Sequence, residues 1–310
     1  MLSRRQLRVK VLQALYSFYQ SEKVDLAIAE RELFRSIDKV FELYLYLLLL
    51  LKEIGDADLQ DAEDLHQKHF PKEDELKAKH RFHNIKFIME LSQAGNFQTE
   101  IKNRNLSWQK ESDLVKKIFL EIKKSDAYRN YFSNKGELTE QDFLAGVMKN
   151  HIENSEALKN YVEGNNIFWI EDFSFICHII LKTIKDYYRT NKLELIPLYK
   201  DSDDKAFVRD LFSKTILNDQ EYEQAISAKT QNWEVERIAL IDMILLKMSM
   251  AELIAFPGIP VKVSINEYID ISKDYSTPKS RQFINGIIDK LADEYKKSGK
   301  IVKTGRGLME

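Results

Sequence analysis

The sequence predicts an all-α fold built of helical bundles. The chain has 310 residues, 44% of them hydrophobic, which suffices for the cores of about two domains. It contains only ten Gly and five Pro, few for a protein of many short strands and natural for long helices joined by few loops. Apolar residues also recur at steps of three and four along much of the chain, which is the period of an amphipathic helix.

The first helix is predicted from about Ser3 to Gln20, with Ser3 as its N-cap. A core stripe at helical spacing consists of Leu7, Val11, Ala14 and Phe18. A second face, predicted to be basic and aromatic and to lie beside the buried stripe, consists of Arg5, Arg8, Leu12, Tyr16 and Tyr19.

A second helix is predicted from about Asp25 to Ile54, and it carries the strongest apolar run, Leu43 to Leu51. Because that run is too short to span a bilayer, we expect a buried helix rather than a membrane segment. No long apolar core with a small-residue cleavage site follows the basic N-terminus, so a signal peptide is not expected.

The middle of the chain is expected to be helical, without an obvious site. Laying Trp169 on Trp233, an offset of 233 − 169 = 64, aligns residues 142–181 with 206–245 without a gap. The identities are few and mostly apolar. A degenerate copy of the following bundle and chance helical periodicity therefore explain the alignment equally well.

The C-terminal third carries clear helix boundaries. A helix is predicted from about Asp203 to Leu217, and Asp219 is expected to cap the next one. Asn232 is expected to cap a long apolar helix from Trp233 to about Phe256, which the following Pro-Gly-Ile-Pro loop ends.

Two further helices are predicted beyond that loop. Ser264 and Glu267 have the spacing of a capping box and predict a helix to about Tyr275. Thr277 followed by Pro278 predicts the start of the last helix, as a cap with proline at the first helical position. Helices joined by such short loops favour antiparallel packing.

Composition narrows the classes of function. The formal net charge is −2, so an RNA-binding site must be local. A single cysteine, Cys177, excludes an intrachain disulfide and a multi-cysteine metal site, and it suits a cytoplasmic location. No glycine-rich nucleotide loop is present, so no cofactor is expected.

Histidine spacing gives a weak indication of metal binding. His66 with His69, and His80 with His83, have the three-residue step that places two side chains on one helix face. The sequence fixes no acid or cysteine near either pair, so solvated histidines are expected and no metal site is predicted.

Two segments resemble the NusB family of bacterial transcription antitermination factors. Near the N-terminus, Arg4-Arg5-Gln6-Leu7-Arg8 and Gln13-Ala14-Leu15-Tyr16 resemble the arginine-rich opening of the family and its Gln-Ala-Leu-Tyr sequence. Near the C-terminus, Pro260 to Glu267 and Ser280 to Lys290 are similar in order and spacing to the final two helices of the family.

The resemblance implies an all-helical pair of three-helix bundles without catalytic residues. It further implies binding of boxA-type RNA together with the small-subunit ribosomal protein NusE, in RNA polymerase antitermination complexes that support ribosomal RNA transcription. It covers about residues 3–22 and 203–297. Typical members are much shorter, so the family does not indicate what the middle region does.

We therefore expect four regions. They are N-terminal helices with a basic RNA-binding face at 1–55, a helical middle region at 56–202 with the possible repeat at 142–182, a NusB-like bundle at 203–297, and a basic flexible tail at 298–310.

The resemblance places Arg4, Arg5 and Arg8 at the arginine positions that contribute to RNA binding, with Gln6 where another basic residue is common. Guanidinium groups neutralise phosphates and stack on unpaired bases, which supports this role independently. The alternative is an ordinary solvated helix face.

The C-terminal part of the predicted RNA surface is Arg281, Gln282 and Phe283. Phe283 matches an aromatic residue of the family's RNA surface, and its neighbours offer hydrogen bonds to phosphates or base edges. An aromatic at helical spacing also fits a core position. Asn285 with Gly286 is interpreted as a close-packing position.

The resemblance assigns Tyr16 and Asp242 to the surface that contacts the ribosomal protein. Asp242 lies in an otherwise apolar stretch, so its carboxylate must be exposed or paired, because burying it alone is costly. Intramolecular pairing of Asp242 and a core position for Tyr16 are the alternatives.

Two other functions compete with the RNA-binding adaptor. A protein-only helical scaffold would result if the middle region covers or replaces the RNA surface. An RNA cytosine methyltransferase is the enzymatic alternative, because NusB-like domains also occur attached to such enzymes. No cofactor-binding strand and glycine pattern accompanies the domain here, so an enzyme is not expected.

Overall fold

In the computed structural model of the chain, residues 1–21, 25–66, 82–132, 138–230 and 238–308 are described. These residues form fourteen α-helices and no β-strand, so the predicted all-α fold is confirmed. The chain divides into two compact units. We call Met1–Ile37 with Tyr199–Glu310 the terminal unit, and Asp38–Leu198 the middle unit.

The helices are numbered here in chain order. The first two are α1 (Arg4–Gln20) and α2 (Leu26–His66). The next seven are α3 (Lys86–Gln93), α4 (Gly95–Asn103), α5 (Ser112–Lys124), α6 (Asp126–Phe132), α7 (Glu140–Val147), α8 (Glu156–Asn165) and α9 (Phe173–Thr190). The last five are α10 (Ser202–Leu217), α11 (Asp219–Lys229), α12 (Leu240–Ala255), α13 (Val261–Tyr275) and α14 (Pro278–Lys297). A π-helical segment, Met148–Glu153, continues α7, and a 3₁₀ turn, Gly305–Leu308, follows α14.

The terminal unit is built around α12. Helices α1, α10, α11, α13 and α14 all pack against it, and Ile244, Leu245 and Leu246 are completely buried. A helix that is apolar on every side is stable only when neighbours cover it. The nearly continuous apolar sequence of α12 therefore explains its central place.

Helix α1 begins at a capping box, in which the Ser3 hydroxyl accepts from the Gln6 amide and the Gln6 side chain accepts from the Ser3 amide. The predicted cap is thus confirmed. The buried positions of α1 include Leu7, Arg8, Val11, Leu12 and Leu15. Because α1 packs on both α10 and α12, its buried stripe is wider than predicted. The proposed basic and aromatic face is therefore divided, with Arg8 and Leu12 in the interior.

Helix α2 extends to His66 rather than ending near Ile54. Ile54, Asp58 and Ala62 are all buried at four-residue steps, so one face of the helix continues into the core. The buried Asp58 carboxylate accepts from the Phe82 amide at 2.7 Å and the Tyr128 hydroxyl at 3.0 Å. The apolar run at 43–51 is buried as predicted, and no described helix is long and apolar enough to cross a membrane.

Stacked aromatic rings form part of the core of the middle unit. Tyr46 of α2 stacks on Trp108 at 4.2 Å and on Trp169 at 5.3 Å between ring centroids. The indole of Trp108 donates to the Tyr46 carbonyl at 3.0 Å, and the indole of Trp169 donates to the Lys39 carbonyl at 3.1 Å. Both buried indole N–H groups are therefore satisfied, as burial requires.

Two predicted helix starts need correction or fall outside the described residues. Helix α13 begins at Val261 after Pro260, so Ser264 and Glu267 are not its capping box. Ser264 is completely buried, and its hydroxyl donates to Glu252 at 2.7 Å. Helix α12 is described from Leu240, whereas the predicted start at residues 232 and 233 lies outside the described residues.

The boundaries of the two units differ from the expected regions. The division falls between residues 37 and 38, and again between 198 and 199, rather than at 55 and 202. Residues 26–37 of α2 thus belong to the terminal unit and the rest of that helix to the middle unit.

The segment after α14 is packed rather than a flexible tail. The amide of Ile301 donates to the Tyr295 carbonyl at 3.0 Å, and the side chain of Ile301 is buried. The amide of Thr304 donates to the Pro257 carbonyl, also at 3.0 Å. These contacts fix the described part of the segment on the α12–α13 loop.

Two glycines differ in what surrounds them. A Cβ atom at Gly307 would lie 1.9 Å from the Pro257 carbonyl oxygen, so only glycine permits this approach. A Cβ atom at Gly286 would meet nothing within 4 Å. The interpretation of Gly286 as a close-packing position is therefore wrong.

We predict that Gly307→Ala destabilises the terminal unit by about 1–3 kcal/mol, because the added methyl group overpacks the contact with Pro257. Amide hydrogen exchange at Thr304, together with chemical denaturation of the full chain, measures the effect. The matched control is Gly286→Ala, which is expected to stabilise α14 by about 0.5–1 kcal/mol. Unchanged exchange at Thr304 in Gly307→Ala would contradict the described packing.

Candidate nucleic-acid interface

The first turn of α1 carries two partly exposed arginines. The Nε atom of Arg4 lies 2.6 Å from Oδ1 of Asp204, and its guanidinium lies 4.5 Å above the ring of Phe207. Asp204 and Phe207 belong to α10 and are both buried, whereas the Arg4 side chain is 39% exposed. Arg4 is thus anchored on one side and open to solvent on the other.

Arg5 is more exposed than Arg4 and is held by α13. Its Nη2 atom lies 2.8 Å from Oε1 of Glu267 and 2.8 Å from Oδ2 of Asp270. The side chain is 49% exposed. The hydrogen bond that Arg5 donates to Glu267 is the main reason that the pKa of Arg5 is raised.

Arg8 lies in the interior and forms a bidentate ion pair with Glu252 of α12. Both contacts, from Nε and Nη2 to the two carboxylate oxygens, are 2.7 Å long. The Arg8 side chain is 2% exposed and that of Glu252 is fully buried. Burial alone would lower the pKa of Arg8, but the hydrogen bond and charge of Glu252 outweigh burial and raise it.

The Glu252 carboxylate accepts hydrogen bonds from donors on two helices. Besides Arg8, the Ser264 hydroxyl donates to Oε1 at 2.7 Å and the Tyr268 hydroxyl donates to Oε2 at 3.0 Å. Burial, followed by the charge of Glu252, raises the pKa of Tyr268, so this hydroxyl remains a donor. The cluster joins α1, α12 and α13.

The burial of Arg8 corrects its predicted role. The Arg8 side chain is 2% exposed and its guanidinium is paired with Glu252, so Arg8 is not accessible to an RNA. Its place in this structure is that of an anchor for α1. The exposed part of the arginine set is therefore Arg4 and Arg5.

Carboxylates of the same chain accompany this arginine set. Arg4, Arg5 and Arg8 lie within ion-pair distance of Asp204, Glu252, Glu267 and Asp270. An RNA phosphate approaching Arg5 meets the charges of Glu267 and Asp270, of which Asp270 also pairs with Lys273 at 2.5 Å. The site is an arginine surface with its own acidic neighbours, and not a simple basic patch.

The other end of α1 carries two tyrosines in different settings. Tyr16 is 42% exposed, and its hydroxyl accepts from the Gln20 amide group at 3.4 Å. The Tyr19 hydroxyl donates to Asp219 at 2.5 Å, and Lys247 pairs with Asp219 at 2.7 Å. Tyr16 is therefore available at the surface, whereas Tyr19 belongs to a network that ties α1 to α11 and α12.

The C-terminal residues of the predicted RNA surface lie in the first turns of α14. Thr277 caps this helix by accepting from the Ser280 amide, with Pro278 at its first turn, as predicted. Gln282 is exposed, whereas Arg281 and Phe283 are half-buried. Within the described residues, no hydrogen bond or ion pair joins Arg281 or Gln282 to Arg4 or Arg5, so contacts of this kind do not link the two parts of the predicted surface.

Asp242 is buried rather than displayed to a partner. It is 3% exposed, and its carboxylate accepts from the Ser276 hydroxyl at 2.5 Å. Its place in the first turn of α12 also puts its negative charge at the favourable end of the helix dipole. The intramolecular alternative therefore describes Asp242 in this structure, and Tyr16 is the exposed member of the predicted partner pair.

The acids that hold the arginines were missed by sequence reasoning. A signal for Glu252 exists in the sequence, because it is an acid inside the apolar α12 and such a carboxylate must find a partner. Nothing in the sequence connects Glu267 and Asp270 to Arg5, because their contact joins positions more than 260 residues apart.

The described residues contain no group of three or more His, Cys, Asp or Glu side chains arranged to hold a metal ion. The side chains of His66, His69 and His80 lie outside the described residues, and His83 lies 3.8 Å from Asp56. The Cys177 thiol is buried, and burial raises its pKa to about 12. A thiol with so high a pKa is a poor nucleophile at neutral pH.

We predict that Arg8→Ala destabilises the terminal unit by about 3–5 kcal/mol, because it leaves the Glu252 charge buried without a cation. The matched control is Arg5→Ala, which removes the same charge from an exposed ion pair and is expected to cost less than about 1 kcal/mol. Chemical denaturation of both full-length variants compares the two costs. Equal stability losses would show that the buried pair does not anchor α1.

Comparison with known proteins agrees with this description. The model of the NusB family matches residues 178–293. The transcription antitermination protein NusB of Salinibacter ruber is 42% identical over 114 residues, which cover 37% of this chain and 71% of that protein. The protein of the same name from Chloroherpeton thalassium is 42% identical over 106 residues, 34% of this chain and 50% of that protein.

A third relative, the transcription antitermination protein NusB of Natranaerobius thermophilus, is 33% identical over 92 residues, 30% of this chain and 66% of that protein. No solved structure matches the chain.

The fold and the site define a helical bundle protein that displays arginines at the end of an anchored helix. Sequence similarity identifies the family within this class. The chain belongs to the NusB family, whose similar members are transcription antitermination proteins.

Proposed function

We propose that this chain is a transcription antitermination factor that binds boxA-type RNA together with the small-subunit ribosomal protein NusE. In this proposal it acts within an RNA polymerase complex that supports ribosomal RNA transcription, and it acts by binding rather than by catalysis. The observation that carries the proposal is the exposure of Arg4 and Arg5 at the end of a helix that the buried Arg8–Glu252 pair holds in place.

Anchoring favours binding because an ordered helix loses little conformational freedom when a ligand arrives. Arg4 already lies against the Phe207 ring, and the side chains of Arg4 and Arg5 are 39% and 49% exposed, which leaves room for contacts with phosphate oxygens. Arginine suits this task because its planar donors match phosphate geometry. The names of the relatives, which are transcription antitermination proteins, support the same reading.

Gln282 and Phe283, with Arg281 beside them, form the second part of the proposed RNA surface. Gln282 is exposed at the start of α14, where its amide group can reach base edges or phosphates. Tyr16 is the proposed contact for the ribosomal protein, because its ring is 42% exposed. Arg8 and Asp242 support the fold in this proposal and contact neither ligand.

We predict that the double variant Arg4→Ala with Arg5→Ala binds a boxA-type RNA about ten- to thirtyfold more weakly at low salt, because two charge-assisted contacts are lost. The log–log salt slope should also become shallower, by at most about 1.4, the value for two phosphates of a single strand. Titration at several ionic strengths, with and without the ribosomal protein, measures both quantities.

The matched control for this experiment is Arg31→Ala with Arg35→Ala, which removes the same two charges from the first part of α2. Circular dichroism of each variant tests whether helicity is retained. Equal RNA affinity in the Arg4 and Arg5 double variant would place the RNA site elsewhere. Absence of binding by the wild-type chain under all these conditions would refute the adaptor function.

We predict that Asp270→Asn strengthens RNA binding severalfold at low salt, because it frees Arg5 from one of its two competing carboxylates. Glu267 is left intact because it also reaches the buried Arg8 at 3.2 Å. The control is Asp274→Asn, which removes an equal charge from an exposed position on the same helix. If both variants gain affinity equally, only net charge is involved and the specific competition is refuted.

A protein-only scaffold is the second candidate, and the acidic neighbours of the arginines favour it. If Glu267 and Asp270 hold Arg5 against any phosphate, the chain binds the ribosomal protein without RNA. The titration series separates the two functions, because the scaffold binds protein with no RNA-dependent change in affinity.

A further inference from the structure

Three successive helical segments of the middle unit repeat in the terminal unit. Segment 140–153, formed by α7 and its π-helical continuation, ends 64 positions before α10 ends, since 217 − 153 = 64. Helices α8 and α11 also end 64 positions apart, at Asn165 and Lys229. Helices α9 and α12 end 65 positions apart, at Thr190 and Ala255. The ends of the three helices therefore agree in order and lie within one position of a common offset.

Burial follows the same offset. Hydrophobic residues 64 positions apart are buried in both segments at nine pairs: Phe143 with Phe207, Leu144 with Val208, Val147 with Leu211, Met148 with Phe212, Leu158 with Tyr222, Val162 with Ile226, Ile180 with Ile244, Ile184 with Met248 and Tyr187 with Ala251. The pairs extend over all three helices without a change of register. Chance helical periodicity makes one helix match another, but it does not conserve the spacing between three helices.

The packing of the first helix on the third repeats as well: the segment 140–153 packs on α9, as α10 packs on α12. The first turn of each leading helix presents a carboxylate and a phenylalanine at matching positions, Glu140 with Phe143 and Asp204 with Phe207. The two segments thus share a sequence offset, a burial pattern and a local arrangement.

The side chains that pack over this carboxylate and phenylalanine differ between the two units. In the terminal unit the guanidinium of Arg4 lies 4.5 Å above Phe207 and pairs with Asp204. In the middle unit the ring of Tyr131 stacks on Phe143 at 4.7 Å between centroids, with planes 4° apart. The Tyr188 hydroxyl donates to Glu140 at 3.0 Å. Burial, and then the charge and hydrogen bond of Glu140, raise the pKa of Tyr131 to about 12.

The covering helices are not copies of each other. Arg4 and Tyr19, at the two ends of α1, contact Asp204 and Asp219 in the same order, so α1 runs parallel to α10. In the middle unit α6 contacts α7, while the earlier α5 contacts the later π-helical segment, so the covering helices meet the segment in the reverse order. The repeat is therefore limited to the three helices themselves.

We propose that residues 140–190 are a degenerate second copy of the α10–α12 helices, in which tyrosines replace the arginines over the shared acid and phenylalanine. The copy retains the buried core residues, but a neutral tyrosine occupies the place that the cationic Arg4 has in the terminal unit. Of the two corresponding faces within the described residues, only the one in the terminal unit then binds phosphate, an inference that rests on the function proposed above. The middle unit contributes no RNA contact of this kind.

An experimental structure of the full chain tests the duplication directly. The three helices of 140–190 are expected to superpose on those of 202–255 at the offset of 64. A different order, direction or packing of the helices would overturn the duplication. This test of the duplication does not require the chain to bind RNA.

Calorimetric titration of the full chain with a boxA-type RNA oligonucleotide tests the single face. One RNA per chain is expected for the wild type, and for Arg4→Ala with Arg5→Ala at most one RNA per chain, bound ten- to thirtyfold more weakly. A second RNA per chain, or binding at undiminished affinity that survives the double variant and is lost in Tyr131→Ala, would overturn the single face. If the wild-type chain binds no RNA, the proposed function fails, while the superposition still decides the duplication.

A substitution in the copy supplies a third readout. Tyr131→Arg is expected to fold with a melting temperature close to that of the wild type, because Arg4 makes the equivalent contact with Phe207 and Asp204. Tyr128→Arg is the control, because Tyr128 is buried and donates to Asp58, so it should lose helical structure. Unfolding of Tyr131→Arg to the same extent as Tyr128→Arg would contradict the equivalence of the two first turns.

Discussion

The buried ion pair between Arg8 and Glu252 sets the geometry of the terminal unit. Removing a guanidinium and a carboxylate from water costs more than their attraction returns unless the remaining hydrogen-bonding capacity is filled. Here Ser264 and Tyr268 fill it. Because all four groups must meet at once, the rotation of α1 about its axis is fixed relative to α12 and α13, and the exposed positions of Arg4 and Arg5 follow from that rotation.

The fold class and several helix boundaries could be predicted because they depend on local patterns. The capping box at Ser3 and the cap with proline at Thr277 involve only near neighbours in the sequence. The start of α13 could not be predicted in the same way. Ser264 has the spacing of a cap, but a tertiary partner, Glu252, takes its hydroxyl, and such long-range contacts override local propensity.

The sequence predicted the residue types of the candidate site, but it did not predict which of these side chains are exposed to solvent. Periodicity placed Arg5 and Arg8 on one face of α1, yet α10 and α12 together cover more of the helix than a single stripe. Arg8 is therefore interior while Arg5 is open. Likewise, the sequence showed that Asp242 needed either solvent or a partner, but only the folded chain shows that Ser276 is that partner.

The paired carboxylates beside Arg5 also have a thermodynamic consequence for any polyanion that binds there. Glu267 and Asp270 act as tethered counterions, since each lies 2.8 Å from the same guanidinium nitrogen. A phosphate that displaces them leaves two carboxylates beside the polyanion, and these take up cations from solution, which offsets part of the counterion release from the polyanion. The salt dependence of binding would then undercount the phosphates in contact, and the number of contacts would have to be obtained from a structure.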